Sequence, residues 1–212
     1  ENTKLKIARS KIFGNLIFSK TKNILEVLEL KSGDYLPTAK MVNDKFAVYG
    51  GGGETGLFHN QYNADNETIG IGRVGARCGC VFKIQPKSWI TDNALFAYKI
   101  DFGFDIDFLI HFLNYSNINQ FANTAAQPVI SLKRIKHIEI PEIELSKQKQ
   151  IGDILNKIEE SGEYNSTTDE WGLTEALKLD ELLNSFSTEL THQQRLLTQL
   201  RQAILQEAVQ GK

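Results

Sequence analysis

Residues 174–209, TEALKLDELLNSFSTELTHQQRLLTQLRQAILQEAV, hold the clearest periodicity in the chain. Ala176, Leu179, Leu183, Phe186, Leu190, Gln193, Leu197, Leu200 and Ile204 follow one another in steps of three and four, the heptad spacing that lines one side of an α-helix. Gln193 is the one polar member. At about 1.5 Å per residue the helix is a rod of roughly 50 Å. A small domain cannot cover so long an apolar seam, so the pattern predicts a partner helix, with a helix lying across its own domain as the alternative.

Working towards the N-terminus, SGEYNSTTDEWG (161–172) is a polar loop, and a shorter helix precedes it. That helix opens at Ser146 as N-cap, shows Ile151, Ile154, Leu155 and Ile158 on one face, and stops near Gly162. It is too short to cover the long seam. Before Pro141 the pattern is β-like: KFAVY (45–49), ETIGIG (67–72), CGCVFKI (78–84), NALFAYKI (93–100) and IKHIEIP (135–141) are strand candidates separated by glycines, Asp-Asn or Pro86. Between the last two, residues 105–122 give one amphipathic helix or two short ones through Ile106, Leu109, Ile110, Leu113 and Ile118. The fold class is α+β: a mixed α/β domain over 1–144, then a long coiled-coil helical pair over 145–212.

Of the 212 residues, 24 are Lys or Arg and 26 Asp or Glu. The split is uneven: 19 basic against 15 acidic residues in 1–150, and 5 against 11 in 151–212. Basic excess on the β-rich part suits an anionic partner, and acidic excess on the helices suits protein. Cys78 and Cys80, two apart on an expected strand, lack disulfide spacing and point to a reducing, cytoplasmic setting. No stretch approaches the roughly eighteen apolar residues of a membrane span, and the first residues lack the apolar core of a signal peptide.

YGGGGETG (49–56) contains Gly51-x-Gly53-x-x-Gly56, half of a dinucleotide-binding signature. The other half is absent: LFHNQYNADNET follows instead of a helix whose N–H groups could face a phosphate, and no Lys-Ser/Thr completes a Walker loop. Cys78, Cys80 and His59 lack the paired spacing of a zinc site. There is no G-x-S-x-G, no nucleophile beside His59, His111, His137 or His192, and no Pro-Pro of an adenine methyltransferase motif. These observations predict no catalysis, no cofactor and no metal.

Five stretches in order now resemble one family. YGGGGETGLFHNQYN (49–63), TIGIGRVGARCGCVF (68–82), WITDNALFAY (89–98), QPVISLKRIKHIEIPEIELSKQKQIGDIL (127–155) and LLTQLRQAILQEAVQGK (196–212) are similar to the DNA specificity (S) subunit of type I restriction-modification enzymes. The resemblance runs from about Leu25 to Lys212, leaving 1–22 as an unmatched extension. It implies a target recognition domain reading one half of a split site in double-stranded DNA. It also implies a helical region that sets the distance to a second such domain, and docking of methyltransferase (M) and, through them, restriction (R) subunits. A complete S subunit has two of each region and this chain has one, so the resemblance implies a homodimer through the long helix or part of a longer subunit. Lys147 stands where the family's L-x-E-Q has an acid.

Base edges call for Arg on guanine and Asn or Gln on adenine. Arg73 and Arg77 in RVGAR, with Asn60, Gln61 and Asn93 in loops, are the base-contact candidates; for Arg73 a salt bridge at the strand end is the alternative, and for the amides ordinary turn chemistry. Lys40, Lys45, Lys83, Lys87, Lys133 and Arg134 are phosphate-contact candidates, or simply solvated charges. Tyr49 and the run from His59 to Gln61 are placed near a groove, and Trp89 is a core anchor or a base-stacking ring. An antiparallel pairing of two seams would demand an inverted-repeat target whose spacer follows helix length. The competing function is a helical interaction protein whose β-rich domain binds a protein or small ligand.

Overall fold

A computed structural model of the chain describes residues 3–42, 45–123, 128–164 and 170–209. In chain order the elements are α1 Thr3–Gly14, β1 Thr21–Asn23, α2 Ile24–Val27, β2 Leu28–Ser32, β3 Phe46–Gly50, β4 Gly53–His59, β5 Thr68–Gly72 and β6 Val81–Ile84. They continue with β7 Trp89–Ile90, β8 Ala94–Ile100, α3 Ile106–Tyr115, α4 Leu132–Ile135, β9 Glu139–Pro141, α5 Leu145–Ser161 and α6 Leu173–Val209. Short 3-10 turns lie at Thr38–Lys40 and Ile118–Phe121.

An antiparallel sheet in the order β2-β8-β5-β6 forms the centre. Its strand β5, TIGIG, is buried throughout: Ile69 and Ile71 point into the main core, while the opposite face is made of Thr68, Gly70 and Gly72. On that glycine face a smaller sheet, β4-β3-β7, encloses a second core of Tyr49, Ile84, Ile90 and Phe96. A Cβ on Gly70 would stand 2.3 Å from the Phe82 ring, so the bare backbone is what admits the aromatic. β1 pairs only with β9, tying the start of the domain to the segment that leads into α5.

On the other face, α3 lies against β6 and β5 and α5 lies against α3. Asp105 caps α3 by accepting from Phe108 N at 3.0 Å, and Phe108, Leu109 and Leu113 bury its apolar stripe. α1 fills the space between α3, α5 and the first turns of α6 with Leu5, Ala8, Ile12 and Phe13. Lys4 clamps the junction, donating to the Gly162 carbonyl at 3.2 Å and pairing with Glu181 at 2.7 Å. Among its described residues α6 buries Leu173 and Leu177 alone; every described residue from Glu181 to Gln206 is exposed, a length of about 40 Å.

Several sequence expectations need correction. Residues 1–22, left without a role, supply a core helix. Residues 53–59, expected as irregular chain, form β4. Cys78 and Cys80 lie in a turn ahead of β6 instead of on a strand, because Gly75 and Gly79 take left-handed φ of 88° and 86°. In 135–141 only the last three residues are strand; Ile135 ends α4 and the next three residues make the turn between the two. The N-cap of α5 is Glu144, and the Ser146 hydroxyl donates to its carboxylate at 3.4 Å instead of capping. Of the two alternatives for residues 105–122, the divided one forms, α3 followed by a 3-10 turn, because Asn117 adopts φ 50° between them. Part of the 161–172 loop, at 165–169, lies outside the described residues.

α1 is fastened by a buried polar relay. The Arg9 guanidinium donates to His111 Nδ1 from Nε at 3.2 Å and Nη2 at 2.9 Å, and His111 Nε2 lies 2.9 Å from Asn156 Oδ1. A guanidinium only donates, so the neutral ring carries its proton on Nε2 and gives it to Asn156. Burial first, then the Arg9 charge and more weakly Lys83, press the His111 pKa down to about 4, against the upward pull of Asn156 and Asp107. The folded pKa lies below the ordinary 6.5, so this group's stability is full above that value and is lost as the pH falls towards 4. Between about pH 7.5 and about pH 5, urea unfolding should report a loss of about 2 kcal/mol from this site. His111→Gln should lack that slope; an unchanged slope would assign the loss to other groups.

Candidate nucleic-acid interface

The β3–β4 hairpin turns at Gly51 and Gly52, with Gly50 paired to Gly53. Gly53 takes φ 101°, which a side chain would strain. Two other turns press against this tip so closely that only hydrogen fits between them. A Cβ on Gly51 would stand 2.7 Å from the Asn93 carbonyl oxygen and 3.0 Å from that of Val74; one on Gly72 would stand 2.2 Å from the Gly51 oxygen. The glycines therefore fuse three loops.

Hydrogen bonds lock the arrangement. Arg73 N donates to the Asn93 oxygen at 2.9 Å. The Cys78 thiol donates to the Arg73 oxygen at 3.2 Å, and the Cys80 thiol to the Gly51 oxygen at 3.4 Å. Burial raises the pKa of both thiols, which keeps the protons these bonds need. Both cysteines are free. Among the described residues no group of three or more His, Cys, Asp or Glu is placed to hold a metal ion.

The convergence brings three of the five base-contact candidates to one surface. Arg77 is exposed with its Cδ 3.1 Å from where a Gly52 Cβ would be, and Asn93 is exposed on the β7–β8 turn. Arg73 is half-buried and gives one N–H to the Ser32 hydroxyl at 3.1 Å and makes a longer contact, 3.4 Å, to the Asp92 oxygen. The alternative of a salt bridge at Arg73 is not what forms; its anchor is a hydroxyl on β2 that nothing in the sequence marks. Asn60 and Gln61 are exposed at the far end of β4, about 20 Å from the tip, and so belong to a different patch.

The phosphate candidates also divide. A bridge between Val74 and Val129 and the bond from Ile130 N to the Arg73 oxygen, 2.9 Å, carry the chain past the cluster into α4, where Lys133 and Arg134 are exposed. Arg134 makes a long contact, 3.5 Å, to the Phe121 oxygen. Lys40 and Lys45 are exposed at either end of the segment before β3, and Lys87 sits at φ 55° before β7. Lys83 is a correction: its ammonium is held by Asp107 at 2.5 Å with Glu67 at 3.9 Å, which raises its pKa against burial, so it braces β6 to α3. Tyr49 is a second correction. It is buried in the smaller core, stacked on Phe82, and its hydroxyl accepts from Gln85 N at 3.3 Å. His59 is half-buried with its ring edge-to-face on Trp89, which is a sheet residue here.

The seam candidates behave uniformly. Leu179, Leu183, Phe186, Leu190, Leu197, Leu200 and Ile204 are each between 56 % and 71 % exposed, with Gln193 exposed among them. Lys147, in the place of the family's acid, pairs with Glu170 and lies 4.6 Å from the centre of the Trp171 ring. Its charge is thus answered from the loop between the helices.

A β-rich head joined to a long helix is the architecture of restriction-modification specificity subunits. A structure of the S subunit from M. genitalium superposes with a TM-score of 0.56 at 20 % identity, over 70 % of this chain and 40 % of that one. The HsdS subunit from Thermoanaerobacter tengcongensis gives 0.55 at 14 % identity over 85 % and 49 %. A chain from a study of complex assembly and conformational transition in the type I R-M system gives 0.60 at 15 % identity over 97 % and 51 %. In sequence, the type I restriction enzyme EcoprrI specificity subunit of Escherichia coli is 26 % identical over 145 residues, 66 % of this chain and 36 % of the relative. Residues 19–169 match the profile of the type I restriction modification DNA specificity domain, and the chain belongs to that family. It spans between about a third and a half of the length of these relatives. No helix among the described residues is long and apolar enough to cross a membrane.

Proposed function

We propose that this chain, residues 1–144 as head and 145–212 as stalk, is one DNA-reading unit of a type I restriction-modification specificity subunit. It acts in the cytoplasm, without catalysis of its own. The observation that carries this reading is the meeting of Arg73 and Arg77, on the β5–β6 turn, with Asn93, on the β7–β8 turn, both turns packed on the hairpin tip at Gly51. Rigid backbone under two guanidinium groups and an amide is what readout of guanine and adenine edges requires. Lys133 and Arg134 in α4, with Lys40, Lys45 and Lys87, are the positioning contacts to phosphates, and Asn60 and Gln61 form a second patch along the duplex. Lys83 is left to its ion pair.

The same reading gives the stalk two duties: docking methyltransferase subunits, which recruit restriction subunits, and pairing with a second copy through the α6 seam. An antiparallel two-fold centred between Thr191 and His192 sets Leu179 opposite Ile204, Leu183 opposite Leu200, Phe186 opposite Leu197 and Leu190 opposite Gln193. Every seam residue from Leu179 to Ile204 finds a seam residue. Residues 173–190 carry four acids and one base, whereas 191–209 carry two bases and one acid, so this orientation also joins unlike ends.

The test is selection from a random duplex library with the methyltransferase subunit of the same system present. The wild type should enrich a split inverted motif and weaken steeply with salt. Arg77→Ala should relax preference at one base position, costing about 1–3 kcal/mol there, while Lys133→Ala should weaken all sequences evenly. Failure to enrich any motif with the methyltransferase subunit present overturns the reading.

A further inference from the structure

Arg73 stands just past the end of β5 and Ser32 closes β2, on opposite sides of β8. Both strands run antiparallel to β8, so their last residues lie at the same end of the sheet, two strand spacings or about 10 Å apart. The Arg73 side chain spans that gap. Nη1 donates to the Ser32 hydroxyl at 3.1 Å and makes a longer contact, 3.4 Å, to the Asp92 oxygen. Nε and Nη2 make no hydrogen bond among the described residues and stay open to solvent. No carboxylate among the described residues pairs with the guanidinium, and Asp34, two residues beyond Ser32, accepts from the Asn63 amide at 2.8 Å.

The anchor is as firmly placed as the arginine. Gly33 N donates to the Ala94 oxygen at 3.1 Å and Asp34 N to the Ile90 oxygen at 3.0 Å, tying the end of β2 to both sides of the turn that carries Asn93. A Cβ on Gly33 would stand 2.4 Å from the Ile90 and Thr91 oxygens, so only a bare backbone comes this close. A hydroxyl and a carbonyl hold a guanidinium without neutralising it, and the charge is kept for a ligand. With Nη1 turned to the protein, the fork left to offer is the Nε–Nη2 edge. Two parallel N–H groups of this kind fit N7 and O6 of guanine.

We propose that Ser32 is a positioning residue, which by holding Nη1 aims the Nε–Nη2 edge of Arg73 at a guanine of the half-site. The inference rests on the DNA-reading function above and adds the side chain that makes Arg73 selective. Without the anchor the arginine samples several rotamers and can turn to a phosphate, so attraction to DNA persists while base choice relaxes.

The experiment repeats the library selection, with the methyltransferase subunit present, on variants of the full chain and scores base preference position by position. Arg73→Ala should lower the preference for guanine at one position by about tenfold or more. Ser32→Ala should lower it at that same position by about threefold to tenfold, with overall DNA affinity nearly kept. Ser32→Thr restores the hydroxyl and should select as the wild type does. The double variant should be no worse than Arg73→Ala alone, because one residue acts through the other. Unfolding midpoints should not move with Ser32, which is exposed. Wild-type selection by Ser32→Ala overturns the assignment, whether or not its midpoint falls, and so does Ser32→Thr behaving as Ser32→Ala. Additive losses in the double variant overturn it too, making Ser32 a DNA contact in its own right. If Arg73→Ala relaxes no guanine position while the wild type still enriches a split motif, this inference falls and the reading function stands. No motif for the wild type overturns both.

Discussion

Gln148→Leu should lower stability by about 4 kcal/mol, the largest single-residue loss expected in this molecule. The side chain is fully buried, and its amide is divided among three backbone groups. Nε2 donates to the Gly103 oxygen at 3.0 Å and the Ile143 oxygen at 2.9 Å, and Oε1 accepts from Asp105 N at 2.9 Å. Leucine nearly preserves the volume and orphans all three. Each buried, unmet backbone group costs about 1–3 kcal/mol, and partial access of water to the turn tempers the sum. Gln148→Glu should be worse, because it sets an ionised oxygen against two carbonyls in a dry site. Urea midpoints at an unchanged m-value check both. If Gln148→Leu unfolds within about 1 kcal/mol of wild type, the amide is not the hub of the junction between α5 and the β8–α3 turn.

Leu197→Asp should raise the dissociation constant of the proposed dimer by roughly a thousandfold, because the two-fold buries the change twice, each time against Phe186 of the other copy. Sedimentation equilibrium measures it. A dimer equally tight in Leu197→Asp would place the contact elsewhere. Orientation has its own test. In the antiparallel register Asp180 and Arg201 occupy flanking positions that face one another across the two helices, in two symmetric copies; in a parallel register neither meets an opposite charge. Arg201→Glu should therefore weaken the dimer by about tenfold, and adding Asp180→Arg should restore it. Restoration fails if the helices run parallel. Leu182 and Leu196, 55 % and 43 % exposed, widen the apolar stripe beside this seam.

α6 was legible because its information is local: steps of three and four persist over about eight turns, and no tertiary contact is needed to read them. The main strands were legible too, since alternation and punctuating glycines are written in a few adjacent residues. α1 was not. Its buried set, Leu5, Ala8, Arg9, Ile12 and Phe13, includes an arginine whose burial depends on His111, about a hundred residues away. No local pattern can announce a buried guanidinium. β4 was hidden in the same way, because its exposed face, Glu54 to Leu57, lacks the apolar alternation of a half-buried strand.

Among the site residues, sequence alone picked side chains of the kinds suited to base edges and the long helix with its periodic apolar stripe. It pointed to the family to which the chain belongs and to the heptad spacing along α6. Tertiary structure decided which candidates share a surface. Arg73, Arg77 and Asn93 meet because Gly51 and Gly72 let carbonyl oxygens approach where a Cβ would collide, while Asn60 and Gln61 are carried away along β4. It also withdrew Lys83 to an ion pair and Tyr49 to a core, and made Gln148 a hub. The physical reason is common to all of these: close approach and burial are relations between segments distant in the chain, and a periodicity describes only neighbours.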